Sequence, residues 1–333
     1  MIAVSRKIPR WARDDTLNIE RISCWPSMKP KLVIILGPTA VGKSEVAIKL
    51  AGVIGAEIIN ADSQQVYRYM NVGTGKPARA ERERVAHHLI DVVDPDEEFN
   101  VAIFRRLALE TIDNIHARGK HVVVCGGTGL YLKALTRGLF VGPEQDPEVR
   151  GDLAREIEAK GLGALYQRLI EIDPAAHSRI HPNDRQRIVR ALEVYRLTGK
   201  PMSQWQREHD FGDERFDTFK IGLQRERAEL YDLINRRCDR MIGEGLLEEV
   251  RGLVAKGYSL DLKPLQSVGY RQMGLVLQGM LKIEQAVKEM KQETRHLAKR
   301  QLTWFRQDHE IRWLHPESEK EEIRRAAESF LRP

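Results

Sequence analysis

The apolar positions of this chain follow two rhythms, and the change between them marks out its architecture. Leu32-Val33-Ile34-Ile35-Leu36 is an unbroken apolar run, the pattern of a parallel strand covered on both faces. Residues 44–52 carry apolar residues at helical spacing, and 57–60 read as a second strand. Residues 101–118 show an amphipathic stripe that stops at Gly119, a residue suited to the left-handed turn that ends helices. His121-Val122-Val123-Val124-Cys125 is a further buried strand, closed by Gly126-Gly127. Strand and helix alternate this far, which predicts a doubly wound α/β unit. From about residue 147 the strand signals nearly vanish. Residues 147–208 are predicted as three or four short helices between Pro and Gly, and 217–223 as one strand that returns to the sheet. Helices are predicted over 226–242, 244–256, 267–278 and 283–306, then a short strand at Ile311-Arg312-Trp313-Leu314 and a terminal helix. There is no internal repeat.

Composition narrows the class. Of 333 residues 42% are apolar, and no run reaches 18, so no membrane span is expected. Lys plus Arg number 54 against 48 Asp plus Glu. That mild excess suits a polyanionic partner without establishing one. Cys24, Cys125 and Cys238 lie far apart with no C-x-x-C. Neither a zinc site nor a disulfide framework is expected, and a reducing cytoplasm is. Residues 1–27 mix Arg, Asp, Pro and Trp without apolar periodicity or the apolar core of a secretory signal, and Asp14, Asp15 and Glu20 argue against a transit peptide. They are expected to be a poorly ordered extension from an over-long start, since Met28 is followed by Lys-Pro-Lys and a clear strand. No exposed apolar stripe is evident, so the expectation is a monomer with no obligate protein partner.

The chemistry begins after the first strand. Gly37-Pro38-Thr39-Ala40-Val41-Gly42-Lys43-Ser44 matches G-x-x-x-x-G-K-[ST] between a strand and a helix, which is the context a phosphate loop requires. Its N–H groups and the helix N-terminus cradle phosphate oxygens. Lys43 reaches the terminal phosphates, and Ser44 is a ligand for Mg²⁺. The loop fixes a di- or triphosphate without saying which bond breaks. The expected fold class is α/β: a P-loop NTPase-like parallel sheet core with a helical insertion and a helical C-terminal region. The expected division is an extension at 1–27, a core at 28–145, an insertion at 146–210, a return to the core with C-terminal helices at 211–315, and a terminal helix at 316–333. The later strand ends in Gly126-Gly127-Thr128 with no acid. Asp62, at the end of the second strand, remains. It reads either as a base toward an acceptor group or as a turn aspartate capping the next helix.

Seven stretches in order decide among these options: GPTAVGKS, NADSQQVYRYMNVGTGKP, HHLIDVVDP, GGTGLYLKAL, HPNDRQRIVRALEVY, SVGYRQM and AKRQLTWFR. Together they resemble the bacterial tRNA dimethylallyltransferases, also called tRNA isopentenyltransferases, over essentially all of residues 31–315. The resemblance implies transfer of a dimethylallyl group from dimethylallyl diphosphate to N6 of adenine-37, just 3′ of the anticodon. The phosphate loop, Lys43 and Mg²⁺ then hold the departing diphosphate. Asp62 is implied as general base, with Thr128 and Arg237 near the reacting groups. His87 and His88 more simply support the donor pocket or a turn. The chain departs from the pattern at Gly75, where Ala is frequent in GTAKP, and Gln64-Gln65 fall in a variable stretch. The family's eukaryotic relatives carry a C-terminal zinc finger; no such Cys/His spacing occurs here, which implies the bacterial form.

The resemblance also implies a surface for the anticodon stem-loop. Asp62, Ser63, Gln64, Gln65 and Thr128 suit base-edge contacts. Arg150 and the helix segment Gln186-Arg187-Ile188-Val189-Arg190 form a second group. Ser267-Val268-Gly269-Tyr270-Arg271-Gln272 offers a stacking aromatic with an Arg and a Gln. Lys299, Arg300, Gln301, Trp304 and Arg306 form the last group. Each basic helix alone also reads as a solvated face. Three other functions are consistent with parts of the sequence: a P-loop kinase of small metabolites, a prenyltransferase of free adenine nucleotides, and an RNA-binding protein whose loop senses nucleotide.

Overall fold

In the computed structural model residues 29–139, 142–209 and 215–332 are described; the expected extension at 1–27 lies outside them. The strands β1 (Lys31–Leu36), β2 (Ala56–Asn60), β3 (His87–His88), β4 (His121–Gly126), β5 (Asp217–Leu223) and β6 (Arg312–Leu314) form one sheet in the order β3-β2-β4-β1-β5-β6. All neighbouring pairs are parallel. β1 runs through the middle, with Ile35 between Cys125 and Ile221. Leu32 through Leu36 are buried, which is why this strand needs apolar residues on both faces.

The first unit comprises residues up to Thr136 and from Arg215 onward. Its early helices are α1 (Lys43–Ile54), α2 (Arg79–Arg84), α3 (Val101–Ala117) and α4 (Gly129–Arg137). Asn100 starts α3 by accepting the N–H groups of Ala102 and Ile103. Phe104 of α3 stacks on Tyr131 of α4 with ring centroids 4.3 Å apart. The second unit, Arg137–Glu214, holds α5 (Pro147–Lys160), α6 (Leu162–Ile172), α7 (Pro174–His177), α8 (Arg185–Thr198) and α9 (Met202–His209). It has its own apolar core around Leu153, Leu165, Leu169, Ile188 and Leu192. The first unit then continues with α10 (Arg227–Gly243), α11 (Leu246–Ala255), α12 (Tyr270–Leu277), α13 (Ile283–Phe305) and α14 (Lys320–Leu331). Among the described residues no helix is long and apolar enough to cross a membrane.

The structure differs from the sequence reading in short elements. α2 buries no residue, and β3 is two residues long, so neither carries a period to read. The segment predicted as helix from 267 begins later, at Tyr270, behind a 3-10 turn at Lys263–Gln266.

An ion cluster ties β2 and β3 to the end of α3 at the edge of the sheet away from the strand tips. The buried Glu57 carboxylate accepts from Arg118 at 2.6 and 2.8 Å and from Lys120 at 2.8 Å, and His88 Nε2 lies 2.7 Å away. The Arg118 guanidinium, against the penalty of burial, holds Glu57 far below the usual carboxylate range. A depressed carboxylate contributes stability above its unfolded value, near 4.5, and loses it as pH falls. Glu57→Gln is expected to lower the unfolding free energy at pH 7 by about 2 kcal/mol. The gap from the unmodified chain shrinks below pH 4.5. Urea unfolding at pH 7 and pH 4 measures both.

Candidate active site

The phosphate loop leaves the tip of β1 and turns into α1. Lys43 Nζ donates to the Pro38 carbonyl at 2.6 Å. Burial pushes the Lys43 ammonium down from 10.5 to about 8, while the Cys125 and Asp62 sites favour its charge and Arg237 opposes it. Burial pushes the Cys125 thiol up to about 12, so it stays neutral and is no nucleophile. Ser44 is exposed in the first turn of α1. Under the loop, Arg225 Nε donates to the Val41 carbonyl at 3.2 Å, and its guanidinium is neutralised by Glu229 and Glu317. Above it, the Thr39 N–H donates to Gln301 Oε1 at 2.8 Å.

The acceptor side leaves the tip of β2. Ala61 extends the ladder, donating to the Cys125 carbonyl at 2.8 Å. Asp62 comes next, half-buried, and its Oδ1 accepts the Gln64 N–H at 2.8 Å. One oxygen therefore closes an Asx turn, and the other has no protein partner among the described residues, so the turn does not occupy the whole carboxylate. The Ser63 N–H donates to Thr128 Oγ1 at 3.0 Å, and the Thr128 N–H to the Ala61 carbonyl at 3.3 Å. The tips of β2 and β4 are thus stitched together beside Asp62. Gln64 Oε1 is buried with no protein partner among the described residues. Gln65 is buried too, but its amide donates to the carbonyls of Thr74 and Gly75, each at 3.2 Å.

Arg237, on α10, reaches the same place from the other side. Its Nη2 donates to the Thr74 carbonyl at 3.2 Å. Burial lowers its pKa, and Asp62 is the nearby charge that favours the cation. Gly75 has φ +59°, and a Cβ there would stand 2.3 Å from Arg237 Nη2. The departure from GTAKP thus leaves room for the guanidinium. The loop itself is clamped by Glu249 of α11, whose carboxylate accepts the N–H groups of Asn71 and Val72 at 2.8 Å and Gly73 at 3.1 Å. Tyr270 donates its hydroxyl to the same carboxylate at 2.5 Å. Further along, Asp91 binds Lys76 at 2.6 Å and Arg82 at 2.9 Å, which joins the GTGKP and HHLIDVVDP stretches.

Several residues expected at the RNA surface are turned into the protein or engaged by other side chains. Tyr270 is fully buried and cannot stack on a base; burial and Glu249 push its pKa far up, so it remains a neutral donor. Gln272 is fully buried, accepting the Gly269 N–H at 2.8 Å and donating to Glu293 at 3.0 Å. The Gln65 and Ile188 side chains are buried. Gln301 faces the phosphate loop. Arg150 and Arg190 both hold the fully buried Glu193, Arg150 at 2.7 Å and Arg190 at 2.8 Å, so their first duty is to the core of the second unit. Arg271 pairs with Glu293, Ser267 donates to the Pro264 carbonyl at 2.6 Å, Gly269 is buried, and Val268 and Val189 are half-buried. Exposed and open to a partner are Gln186, Arg187, Lys299, Arg300, Trp304 and Arg306. His87 and His88 sit in β3 against the Val85 carbonyl and Glu57, in structural roles. Sequence reasoning missed Arg225, an ordinary charge in the link between β5 and α10, and Glu249, an ordinary charge on a helix.

Comparison with known proteins places this arrangement. The family profile described as IPP transferase matches residues 65–308. A tRNA dimethylallyltransferase of Syntrophobacter fumaroxidans is 53% identical over 282 residues, covering 85% of this chain and 82% of the relative. One of Geobacter sulfurreducens is 50% identical over 286 residues, covering 86% of this chain and 92% of the relative. Among solved structures, the tRNA isopentenylpyrophosphate transferase of Bacillus halodurans matches with a TM-score of 0.68 at 40% identity, covering 91% of this chain and 97% of that one. A eukaryotic dimethylallyltransferase acting on tRNA matches with a TM-score of 0.74 at 28% identity, covering 90% of this chain and 77% of that one.

Proposed function

This chain belongs to the IPP transferase family and is a tRNA prenyltransferase, and from that premise we propose that it moves a dimethylallyl group from dimethylallyl diphosphate to N6 of adenine-37. The acceptors are tRNAs that read codons beginning with U. The observation that carries this reading is the meeting of three parts at the strand tips. Lys43 and Arg237 supply the cations, and Asp62 keeps one carboxylate oxygen free of protein partners among the described residues.

The chemistry is a substitution at an allylic carbon. The C–O bond to diphosphate breaks and its electron pair leaves with the diphosphate. The N6 lone pair forms the new C–N bond, and the proton it sheds goes to the Asp62 carboxylate. An exocyclic amine is a poor nucleophile because its lone pair is delocalised into the ring, so a base that accepts the proton as the bond forms lowers the barrier. Lys43 and Arg237 face the charge that develops on the leaving group, where preorganised cations stabilise the transition state most. The target base must leave its stack to reach Asp62, at a cost of roughly a few kcal/mol. The buried, unpartnered Gln64 Oε1 is an acceptor suited to a base edge. Lys299, Arg300 and Arg306 are exposed cations on one stretch of chain, suited to phosphates.

Mg²⁺ fits this site as an ion carried by the substrate. Among the described residues no cluster of His, Cys, Asp or Glu could cage a metal, while the Ser44 hydroxyl is exposed at the loop. One hydroxyl with diphosphate oxygens and water suits Mg²⁺, which is bound in this way rather than in all-protein cages. When bound it supplies charge neutralisation for the leaving group.

The test is transfer of label from dimethylallyl diphosphate, with Mg²⁺, to unmodified tRNA, beside free AMP and a tRNA lacking the target adenine. Label on the intact tRNA alone is the expected result. Label on AMP would make the chain a nucleotide prenyltransferase, and consumption of ATP without label would return the phosphate loop to the kinases.

A further inference from the structure

Gln301 was expected to touch RNA, and the structure turns it inward. Its side chain binds both halves of the site. Oε1 accepts the Thr39 N–H of the phosphate loop at 2.8 Å, and Nε2 donates to the Gly127 carbonyl at 2.9 Å. Both ends of the amide are thereby engaged, which fixes its orientation. The approach is close: a Cβ on Gly127 would stand 2.6 Å from Gln301 Nε2. One helical turn later Trp304 lies against Gly129, where a Cβ would stand 2.2 Å from the indole. The two glycines flank Thr128, so α13 docks where the GGTG stretch leaves β4. Thr128 in turn holds the Ser63 N–H, next to Asp62.

We propose that Gln301 is a positioning residue for prenyl transfer: it sets the separation between the loop that holds the departing diphosphate and the Asp62–Thr128 edge that receives the adenine. The proposal rests on the reading above. In-line displacement requires the nucleophile, the allylic carbon and the leaving oxygen to be aligned at near contact distance, and misplacement by about 1 Å costs on the order of 10²-fold in rate. Donor and acceptor are carried by separate strand tips of the sheet. A bridging amide between them holds that distance without touching either substrate. An RNA-contacting glutamine and a bridging one therefore leave different kinetic signatures. Loss of an RNA contact raises the KM for tRNA, whereas loss of a bridge lowers kcat with both substrates still bound.

The experiment measures single-turnover transfer at saturating tRNA and dimethylallyl diphosphate for the unmodified chain, Gln301→Ala and Gln301→Glu. It is paired with titrations of inorganic diphosphate and of an anticodon stem-loop RNA, and with melting curves. Glu keeps an acceptor for the Thr39 N–H but cannot donate to Gly127, so it serves if Ala fails to fold. The expected result is a rate lowered about 10²-fold in a folded protein, with the affinity for the stem-loop unchanged. An unchanged rate overturns the proposal. So does a weakened affinity for RNA with the saturated rate intact, which would return Gln301 to the RNA surface. If the unmodified chain transfers no label to tRNA, the functional reading itself fails, and that arm is scored before the variants.

Discussion

Asp62→Ala is expected to lower the single-turnover rate of prenyl transfer by about 10²–10⁴-fold while inorganic diphosphate still binds. Alanine, however, removes two things at once, since Oδ1 also closes the turn onto the Gln64 N–H. Asp62→Asn separates them. An asparagine oxygen accepts the same N–H and preserves the turn, but the amide cannot take up a proton from N6. If Asp62→Asn loses as much activity as Asp62→Ala, the effect belongs to proton acceptance. If Asp62→Asn keeps full activity, Asp62 is a structural turn residue and another base is required. Both substitutions also remove the negative charge that favours the Lys43 ammonium. They are expected to move the pH profile of diphosphate binding to lower pH, which a titration series reads independently of turnover.

Lys43→Ala is expected to lower kcat/KM for the donor by about 10²–10³-fold, and the pH dependence of the unmodified chain identifies the cause. Burial places the free Lys43 near 8 rather than 10.5. A diphosphate selects the charged form, so its affinity is full below pH 8 and declines as pH rises above it. The Lys43→Ala chain lacks that decline. The linkage to folding runs the other way. Between pH 8 and 10.5 the unfolded lysine binds more proton than the folded one, so the stability of the free protein rises with pH across that window. Bound diphosphate restores the proton to Lys43 and cancels the rise. Melting curves at pH 7.5 and 9.5, with and without inorganic diphosphate, test the sign directly.

The core of the sheet was legible because its signal is local. An apolar run such as Leu32–Leu36 has few structures open to it, and the GPTAVGKS loop brings its own flanks. Asp62 stands out in the sequence as the acid at a strand tip, but its role and those of Thr128 and Arg237 come only from the family resemblance; nothing in NRRCDRM separates Arg237 from Arg236. Side-chain direction was not legible. Tyr270 and Gln272 look like recognition residues in SVGYRQ, but α12 starts at Tyr270 and turns both into the interior. Arg150 and Arg190 look like phosphate ligands until Glu193 appears between them, because a buried carboxylate must be paired and its partners are set by tertiary packing. Glu249 acts on three N–H groups nearly 180 positions earlier in the chain, a relation that no window of sequence contains.

The position of the second unit has a consequence for how the chain comes off the ribosome. β1 is made first and β4 can pair with it soon after, but its other edge waits for β5, which is synthesised only after the whole 137–214 segment. During that delay the nascent sheet presents an open strand that is apolar from Leu32 to Leu36, the kind of edge that recruits foreign strands. The emerging segment has an apolar core of its own and can collapse onto itself while β1 is still half-paired. Closure of the sheet is therefore the late, non-local step of biogenesis, and the stage at which a nascent-chain chaperone has most to protect.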